Sequence, residues 1–239
     1  MSARKIIVLN GHPGEASLSK SLCRAYGAAA EEQGHAVRFH DLPEMQFDMD
    51  YGAGGYENPK PLEPDLDAFL SDLEWADHLV VATPLWWGAI PAKLKGLFDR
   101  VLLPGRAFDT RNVNMIGLPA PLLTGKTARV LLTSDTPALL LRLFYSNAVK
   151  KVLSRQILGF VGIKPAKFTS FAPATKAGSE QAGAWPWGDA VLPLGEVERL
   201  VEHDITGAFP QARELPNPGL RKWTHVAYTD TRGNIAADD

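Results

Sequence analysis

Residues 5–22 read "KIIVLNGHPGEASLSKSL" and join an apolar run, a turn-rich loop and the start of an amphipathic helix. The apolar run before Asn10 does not alternate with polar residues, which is typical of a strand buried on both faces of a sheet. Leu18 and Leu22 then lie on one helical face, and Ser17 can cap the start of that helix. A buried strand followed directly by a helix predicts a βαβ unit and a parallel sheet.

The same alternation of apolar strand and amphipathic helix continues along the chain. Four further strands are predicted, in "AVRFHDL" (36–42), "DHLVVATP" (77–84), "KTARVLLTS" (126–134) and "PAKFTSFAP" (165–173). Between them, helices are predicted at 65–76, at 91–102 and, as one long element, at 135–160. The order predicts an α/β fold, namely a doubly wound five-stranded parallel sheet covered by helices on both faces.

Ligands of such sheets bind in the crevice beyond the carboxyl ends of the strands. The segments 10–19, 83–91, 104–112 and 133–138 are each predicted to be loops that follow strands or extend them. These four segments therefore contain the candidate functional residues.

The composition limits the classes of function. The chain has 239 residues, 45% apolar residues and a net charge of −2 without long charged runs, so nucleic acid is not expected as a partner. The single cysteine, Cys23, excludes a Cys-rich zinc site and is interpreted as a small core residue. We expect no metal site. The N-terminal apolar run is too short for a signal peptide or a membrane span, so a cytoplasmic protein without membrane insertion is predicted.

The chain is divided into two parts by a change of composition. Residues 1–175 carry the strand and helix pattern, whereas residues 176–239 begin with a segment rich in Gly, Ala and Pro. Residues 176–239 contain one further amphipathic pattern and otherwise little periodicity, so they are not expected to have a core of their own. They are predicted to form a C-terminal extension that packs on the domain or on a partner subunit.

Three of the loops suggest chemistry, each with an ordinary structural alternative. Segment 10–19 precedes a helix N-terminus, which attracts anions, although any capped helix start has this form. In segment 83–91, Trp86 and Trp87 could form a flat wall for a planar ligand, or could be core or interface aromatics. In segment 133–138, the Thr and Ser hydroxyls could bind polar ring atoms, or could only cap the next helix.

Taken together, the motifs resemble those of the flavodoxin-like NAD(P)H:quinone oxidoreductases, a family that includes DT-diaphorases and bacterial flavin reductases. "IIVLNGHPGEASLSKSL" is similar to the first strand and phosphate loop of that family. "DLPEMQFDMD" is similar to the piece after the second strand. "PLWWGAIPAKLKGLFDRVLLPGRAF" matches the long motif P-L-x-W-x-x-x-P-A-x-L-K, and "TSDTPA" with "ILGFVGIKP" matches the part around the fourth strand. The resemblance covers about residues 4–173.

The resemblance implies a flavodoxin-like fold with strand order 2-1-3-4-5, a bound FMN or FAD, and a homodimer whose interface helps to form the flavin pocket. It assigns three groups of cofactor-binding residues: His12, Ser17, Leu18 and Ser19 at the phosphate, Pro84, Leu85, Trp86, Trp87 and Gly88 along the isoalloxazine, and Thr133, Ser134 and Asp135 at its other edge.

The chain departs from the family pattern at several places, two of which bear on the pocket. Gly88 stands where relatives often have an aromatic residue, which widens the pocket. The Gly-rich loop with a following Tyr and His that assists proton transfer in some relatives is replaced by "SDTP", so Tyr145 is the only candidate in that region for a catalytic side chain. The natural acceptor therefore does not follow from the motifs.

The implied activity is transfer of hydride from NAD(P)H through the bound flavin to a quinone or related aromatic acceptor, by a ping-pong mechanism. The alternatives are a flavodoxin-type electron carrier and a flavin-binding regulatory subunit. Carriers are strongly acidic, which the net charge of −2 does not match. FMN is favoured slightly over FAD, and NADPH slightly over NADH, with Arg106, Arg111 and Lys126 as the candidate partners of the NADPH phosphate.

Overall fold

The computed structural model of the chain describes residues 3–52, 58–172 and 174. In chain order the elements are β1 (Lys5–Asn10), α1 (Leu18–Glu32), β2 (Ala36–Asp41), α2 (Pro64–Trp75), β3 (His78–Pro84), α3 (Ala92–Val101), β4 (Phe108–Val113), β5 (Pro119–Pro121), β6 (Thr127–Thr133), α4 (Ala138–Leu143), α5 (Ala148–Lys151), a π-helix (Val152–Ile157) and β7 (Ala166–Phe171). The predicted extension at 176–239 lies outside the described residues.

Five of the strands form one parallel sheet in the order β2-β1-β3-β6-β7. Strands β6 and β7 are the fourth and fifth strands predicted from the sequence, so the predicted order 2-1-3-4-5 is confirmed. The chain order therefore reverses direction across the sheet between β1 and β3. A crevice opens at such a switch point, beyond the carboxyl ends of these two strands.

The two faces of the sheet pack against different helices. On one face, apolar side chains of α2, α3 and the π-helix cover alternate residues of the strands, such as Leu79 and Val130. On the other face, α1 covers the intervening residues, such as Val80 and Leu131. Because the central strands are buried on both faces, they show no polar alternation in the sequence.

Cys23 lies on α1 and faces the core, as predicted. It is buried within the apolar cluster on the α1 face of the sheet. Burial raises the pKa of its thiol to about 12, so the nucleophilic thiolate is not formed at neutral pH.

The prediction of one long helix from 135 to 160 is wrong. Ser146 and Asn147 both have a positive φ, of 50° and 53°, and this left-handed backbone ends one helix and begins another. The apolar periodicity persisted across the break because Leu141, Val149 and Leu153 all face the core. Periodicity reports which side chains are buried, and it does not report a turn between two helices that pack on the same sheet.

The segment 104–112 is also corrected, because it follows helix α3 rather than a strand. It leads into β4, which pairs antiparallel with β5 in a separate two-stranded sheet. The hairpin was not predicted, because β5 consists of "PAP" and proline does not favour strand structure. Most of β4 is exposed and gives no apolar alternation.

Within the described ranges, no helix is both long enough and apolar enough to cross a membrane.

Candidate active site

Three of the predicted loops meet at the carboxyl edge of the sheet. The strands that precede them, β1, β3 and β6, are neighbours. Two backbone hydrogen bonds extend the pairing beyond the strands: Gly11 N–H donates to the Ala82 carbonyl at 2.7 Å, and Leu85 N–H donates to the Thr133 carbonyl at 2.8 Å. Segments 10–19, 83–91 and 133–138 therefore lie together at the edge of the sheet where a ligand crevice is expected.

The loop after β1 ends at the N-terminus of α1, a helix of 15 residues. Ser17 is the N-cap, and its hydroxyl accepts a hydrogen bond from Lys20 N–H at 3.1 Å. Among the described residues, no acceptor pairs with the N–H groups of Leu18 and Ser19, as expected in the first turn of a helix. This turn presents free donors and the positive end of the helix dipole to an anion.

Ser19 lies beside these donors with an unused hydroxyl. The residue is 1% exposed, and its Oγ has no hydrogen-bond partner in the described part of the chain. Buried polar groups normally have a partner, because an unpaired one costs free energy. The hydroxyl thus fits a site that supplies a further acceptor to the loop, such as a phosphate oxygen.

A side-chain network that sequence reasoning missed holds this loop in place. Asn10 Nδ2 donates to Asp41 Oδ1 at 2.6 Å, and Asn10 Oδ1 accepts from His12 N–H at 3.2 Å. Lys20 forms an ion pair with the other oxygen of Asp41 and a longer one with Glu44 at 3.4 Å. The only sequence signs are polar residues at the ends of two neighbouring strands, since Asn10 and Asp41 are 31 residues apart.

His12 contacts both the first and the second loop, and its imidazole has a lowered pKa. Its Nδ1 accepts a hydrogen bond from Gly14 N–H at 2.9 Å, and its ring meets that of Trp86 edge to face at 5.4 Å. Partial burial lowers the pKa of His12 below 6.5. The imidazole is therefore neutral at neutral pH, and it holds the loop without adding positive charge.

This pKa predicts how stability responds to acid. Because the folded protein disfavours protonated His12, the unfolded chain binds more protons as the pH falls through 6.5, and stability is lost in that direction. We expect the free energy of unfolding of a His12→Gln variant to fall less steeply than that of the wild type between neutral pH and the folded pKa. Urea unfolding at a series of pH values measures this difference, and equal slopes would contradict it.

The loop after β3 is a tight two-residue turn that projects Trp87. Trp86 and Ala89 exchange two backbone hydrogen bonds, each of 2.9 Å, across Trp87 and Gly88. Both central residues have a positive φ, of 50° and 77°, as in a type I′ turn. The Trp87 side chain is fully exposed, whereas Trp86 is 44% exposed and touches His12. A bulky residue in left-handed backbone is strained, and such strain clusters at functional sites.

The turn yields a stability prediction. Replacing Trp87 by Asn gives the Asn-Gly pair that type I′ turns favour, and Asn tolerates the left-handed region. We expect the Trp87→Asn protein without bound ligand to gain about 1 kcal/mol in its free energy of unfolding. The opposite control is Gly88→Ala, which should lose about 1 kcal/mol because it places a Cβ at positive φ. Urea unfolding checks both, and a destabilised Trp87→Asn variant would show that the indole packs on the protein.

In the third loop, Ser134 uses its polar groups within the protein. Its N–H donates to the Phe171 carbonyl at 2.9 Å, and its hydroxyl bonds with the backbone of Thr136 at 2.9 Å. Thr133 is buried at the end of β6, and Asp135 is exposed. Of these three candidates, only Asp135 is exposed.

Tyr145 is not brought to the three loops. It lies in the turn after α4, where its carbonyl accepts from Ala148 N–H at 2.9 Å, and its side chain is 62% exposed. Within the described residues, no hydrogen bond joins it to any of the three loops. A role for Tyr145 as a proton donor has no support in this geometry.

Two of the three candidates for an NADPH phosphate partner are committed elsewhere. Arg106 donates to the carboxylates of Asp67 and Glu74 on α2, at 2.6 and 2.7 Å. Lys126 donates to two carbonyls at the C-terminal end of α2. It directly precedes β6, so it lies at the opposite edge of the sheet from the crevice. Arg111 is the third candidate. Its side chain is 88% exposed, and it forms an ion pair with Asp109.

The groups in these loops fit a ligand that joins an anionic group to a planar one. The first loop offers the α1 N-terminus and the unpaired Ser19 hydroxyl, and the second offers an indole face with the open Gly88, whose surroundings are free of atoms within 4 Å of an added Cβ. In the described residues, no group of three His, Cys, Asp or Glu side chains could hold a metal ion.

Comparisons with known proteins agree with the fold described above. The model of a family described by its flavodoxin-like fold matches residues 4–185. A ribosyldihydronicotinamide dehydrogenase-like protein of Penicillium crustosum is 33% identical over 119 residues, which are 42% of this chain and 45% of that protein. An FMN-dependent NADH:quinone oxidoreductase of Cereibacter sphaeroides is 36% identical over 104 residues, 44% of this chain and 49% of that protein. The match spans about half the length of each of these relatives.

One solved structure, an NAD(P)H:quinone oxidoreductase from Methanothermobacter marburgensis, has a TM-score of 0.64 and 24% identity, and the match covers 89% of this chain and 100% of that one. At this identity the likeness concerns the fold. Since the family model spans every strand from β1 to β7, this chain belongs to the family of flavodoxin-like proteins.

Proposed function

We propose that this protein is a flavin-dependent NAD(P)H oxidoreductase that reduces a quinone or a related aromatic acceptor. The observation that carries the proposal is the meeting of the α1 N-terminus, the Trp86–Trp87 turn and the β6 loop at one crevice. The names of relatives support it, since one is called an FMN-dependent NADH:quinone oxidoreductase and another a ribosyldihydronicotinamide dehydrogenase-like protein.

FMN is the proposed cofactor. When bound, it supplies the ability to take up hydride from a nicotinamide and to pass two electrons to a quinone. The free N–H groups of Leu18 and Ser19, with the Ser19 hydroxyl, would hold its phosphate. The helix dipole would stabilise the phosphate charge, because His12 is neutral and Lys20 is paired with Asp41. One short loop of this kind suits a single phosphate group.

The other two loops would orient the ring system and exclude water. Among the described residues, the N–H groups of Trp87 and Gly88 have no acceptor, so they could donate to polar atoms on the ring edge. The exposed Trp87 indole would cover the ring or the molecule stacked on it. Donors aimed at the pyrimidine edge would stabilise the negative charge that reduction places there.

A single crevice that takes the donor and then the acceptor predicts ping-pong kinetics. We expect initial rates with varied NAD(P)H and a soluble benzoquinone to give parallel lines in double-reciprocal plots. Intersecting lines would show that donor and acceptor bind together. The ratio of kcat/KM for NADPH and NADH, measured in the wild type and in Arg111→Ala, tests whether the remaining exposed arginine binds the 2′-phosphate.

We also propose a homodimer in which the hairpin of β4 and β5 takes part in the subunit interface. The hairpin exposes five apolar side chains, with Met115 fully exposed and Ile116 79% exposed. The others are Val113, Leu118 and Leu122. Apolar surface of this kind normally marks a protein contact.

The oligomeric state tests this proposal. Sedimentation equilibrium should give a dimer for the wild type and a shift to monomer for Ile116→Ser, whose fold is checked by circular dichroism. A wild-type monomer at the concentrations used for turnover would contradict the proposed dimer without contradicting flavin binding.

A further inference from the structure

The segment that begins after the β6 loop is strongly cationic although the chain as a whole is not. Residues 136–172 contain six Lys and Arg residues and no Asp or Glu, whereas the whole chain has a net charge of −2. This segment includes α4, α5, the π-helix and β7. Positive charge is thus concentrated on one part of the molecule.

The same segment carries an apolar surface that is open to solvent. Leu139 and Leu143 are each 63% exposed, Phe144 is 77% exposed and Tyr145 is 62% exposed. We call these four side chains the α4 surface. Only Leu141 of helix α4 is buried. Large exposed apolar patches of this kind mark sites of protein or membrane interaction.

Three exposed cationic residues lie close to this surface in the sequence. Arg142 is exposed within α4, and Lys151 and Arg155 are exposed one helical turn apart, on the side opposite the buried Val149 and Leu153. In the described part of the chain, none of these three cations forms an ion pair. An apolar surface flanked by unpaired cations is the pattern of a segment that lies on an anionic membrane.

We propose that the α4 surface docks on an anionic lipid bilayer, with its apolar side chains in the interface and the three cations at the headgroups. A second copy of the chain fits this surface less well. In a two-fold contact the same patch meets itself, so Lys151 and Arg155 would approach like charges.

The docking has a consequence that rests on the proposed function. Helix α4 begins directly after the loop at 134–137, which borders the candidate crevice. Docking through α4 brings this edge of the sheet toward the membrane. An acceptor dissolved in the bilayer, such as a quinone with an apolar tail, could then reach the crevice without crossing water.

Co-sedimentation with vesicles tests the docking independently of any redox activity. The full-length protein, as purified with its cofactor, is mixed with vesicles of phosphatidylcholine alone or with added phosphatidylglycerol. We expect binding only to the anionic vesicles and a loss of binding as salt is raised. Lys151→Glu should lower the partition coefficient about fivefold or more, because each cation near such a surface contributes about that factor. Phe144→Ser should weaken binding to the anionic vesicles at low salt.

Arg24→Glu is the matched control, since it changes the charge equally at an exposed position on α1. It should bind anionic vesicles better than Lys151→Glu does. No binding to anionic vesicles at low salt would overturn the proposal, as would equal effects of the two charge reversals. A Phe144→Ser variant that becomes monomeric by light scattering, from a dimeric wild type, would also overturn it and would assign the surface to the subunit contact.

Discussion

Replacing Ser17 by Asp should weaken FMN binding at least about a hundredfold while leaving riboflavin binding unchanged. Ser17 caps α1, and Asp caps helices as well as Ser does, so the fold should be kept. The added carboxylate would lie at the helix end that is proposed to hold the phosphate. Two like charges about 4–6 Å apart repel by roughly 3–4 kcal/mol at an effective dielectric constant of about 20. Riboflavin has no phosphate and should not respond.

The matched control is Ser17→Asn, which keeps a neutral cap of similar size. Titration of the flavin-free proteins, followed by the quenching of flavin fluorescence, gives the Kd of each flavin. An equal loss of FMN and riboflavin affinity in Ser17→Asp would indicate a distorted loop. Unchanged FMN affinity would place the phosphate elsewhere and would contradict the proposed orientation of the cofactor.

Replacing Arg100 by Met is expected to cost the largest share of folding stability, about 3 kcal/mol or more. Arg100 lies on α3 with 1% of its side chain exposed. Its guanidinium donates to the carbonyls of Asp48 and Pro61 and forms an ion pair with Glu63 at 2.8 Å. Removing the guanidinium leaves two carbonyls without this donor and leaves the Glu63 carboxylate with only the Asp48 N–H at 3.3 Å.

Lys60→Met is the control, since Lys60 also pairs with Asp48 but at the surface. Exposed ion pairs contribute little, so this variant should unfold at nearly the wild-type urea concentration. Loss of Arg100 should also make the chain around Asp48 and around Pro61 more open to proteolysis. If Arg100→Met unfolds like Lys60→Met, the Arg100 ion pair does not hold these two segments against α3.

The sheet was predictable because its determinants are local. Each strand is a short apolar run, each of the first three helices has one apolar stripe, and the connections alternate. From that pattern the parallel sheet, the α1 N-terminus and the position of the loops at one edge of the sheet follow, whereas the strand order was implied by the resemblance to a known family. The break at Ser146 and Asn147 and the hairpin at 108–121 were missed because left-handed backbone and non-local pairing leave no periodic pattern.

The finer parts of the site depend on distant partners. Asn10 and Asp41 meet only because β1 and β2 are neighbours, and the Arg100 guanidinium is paired only because Pro61, from a distant part of the chain, lies against α3. A charged residue on an amphipathic helix is ordinarily expected to be exposed. The exposure of Trp87 was also not predictable, because a Trp-Gly pair is not a typical type I′ turn sequence. The Trp87 side chain is exposed because of the turn and not because of its own chemistry.

The central claim is that this chain binds FMN and uses it to pass electrons from NAD(P)H to a quinone. The most direct measurement is the visible absorbance of the FMN-loaded protein without oxygen, first with NADPH and then with a benzoquinone, and repeated with NADH. We predict rapid bleaching with at least one nicotinamide and full recovery after the quinone is added. FMN that binds but stays oxidised with both nicotinamides would contradict the oxidoreductase function and would favour an electron carrier or a regulatory flavoprotein.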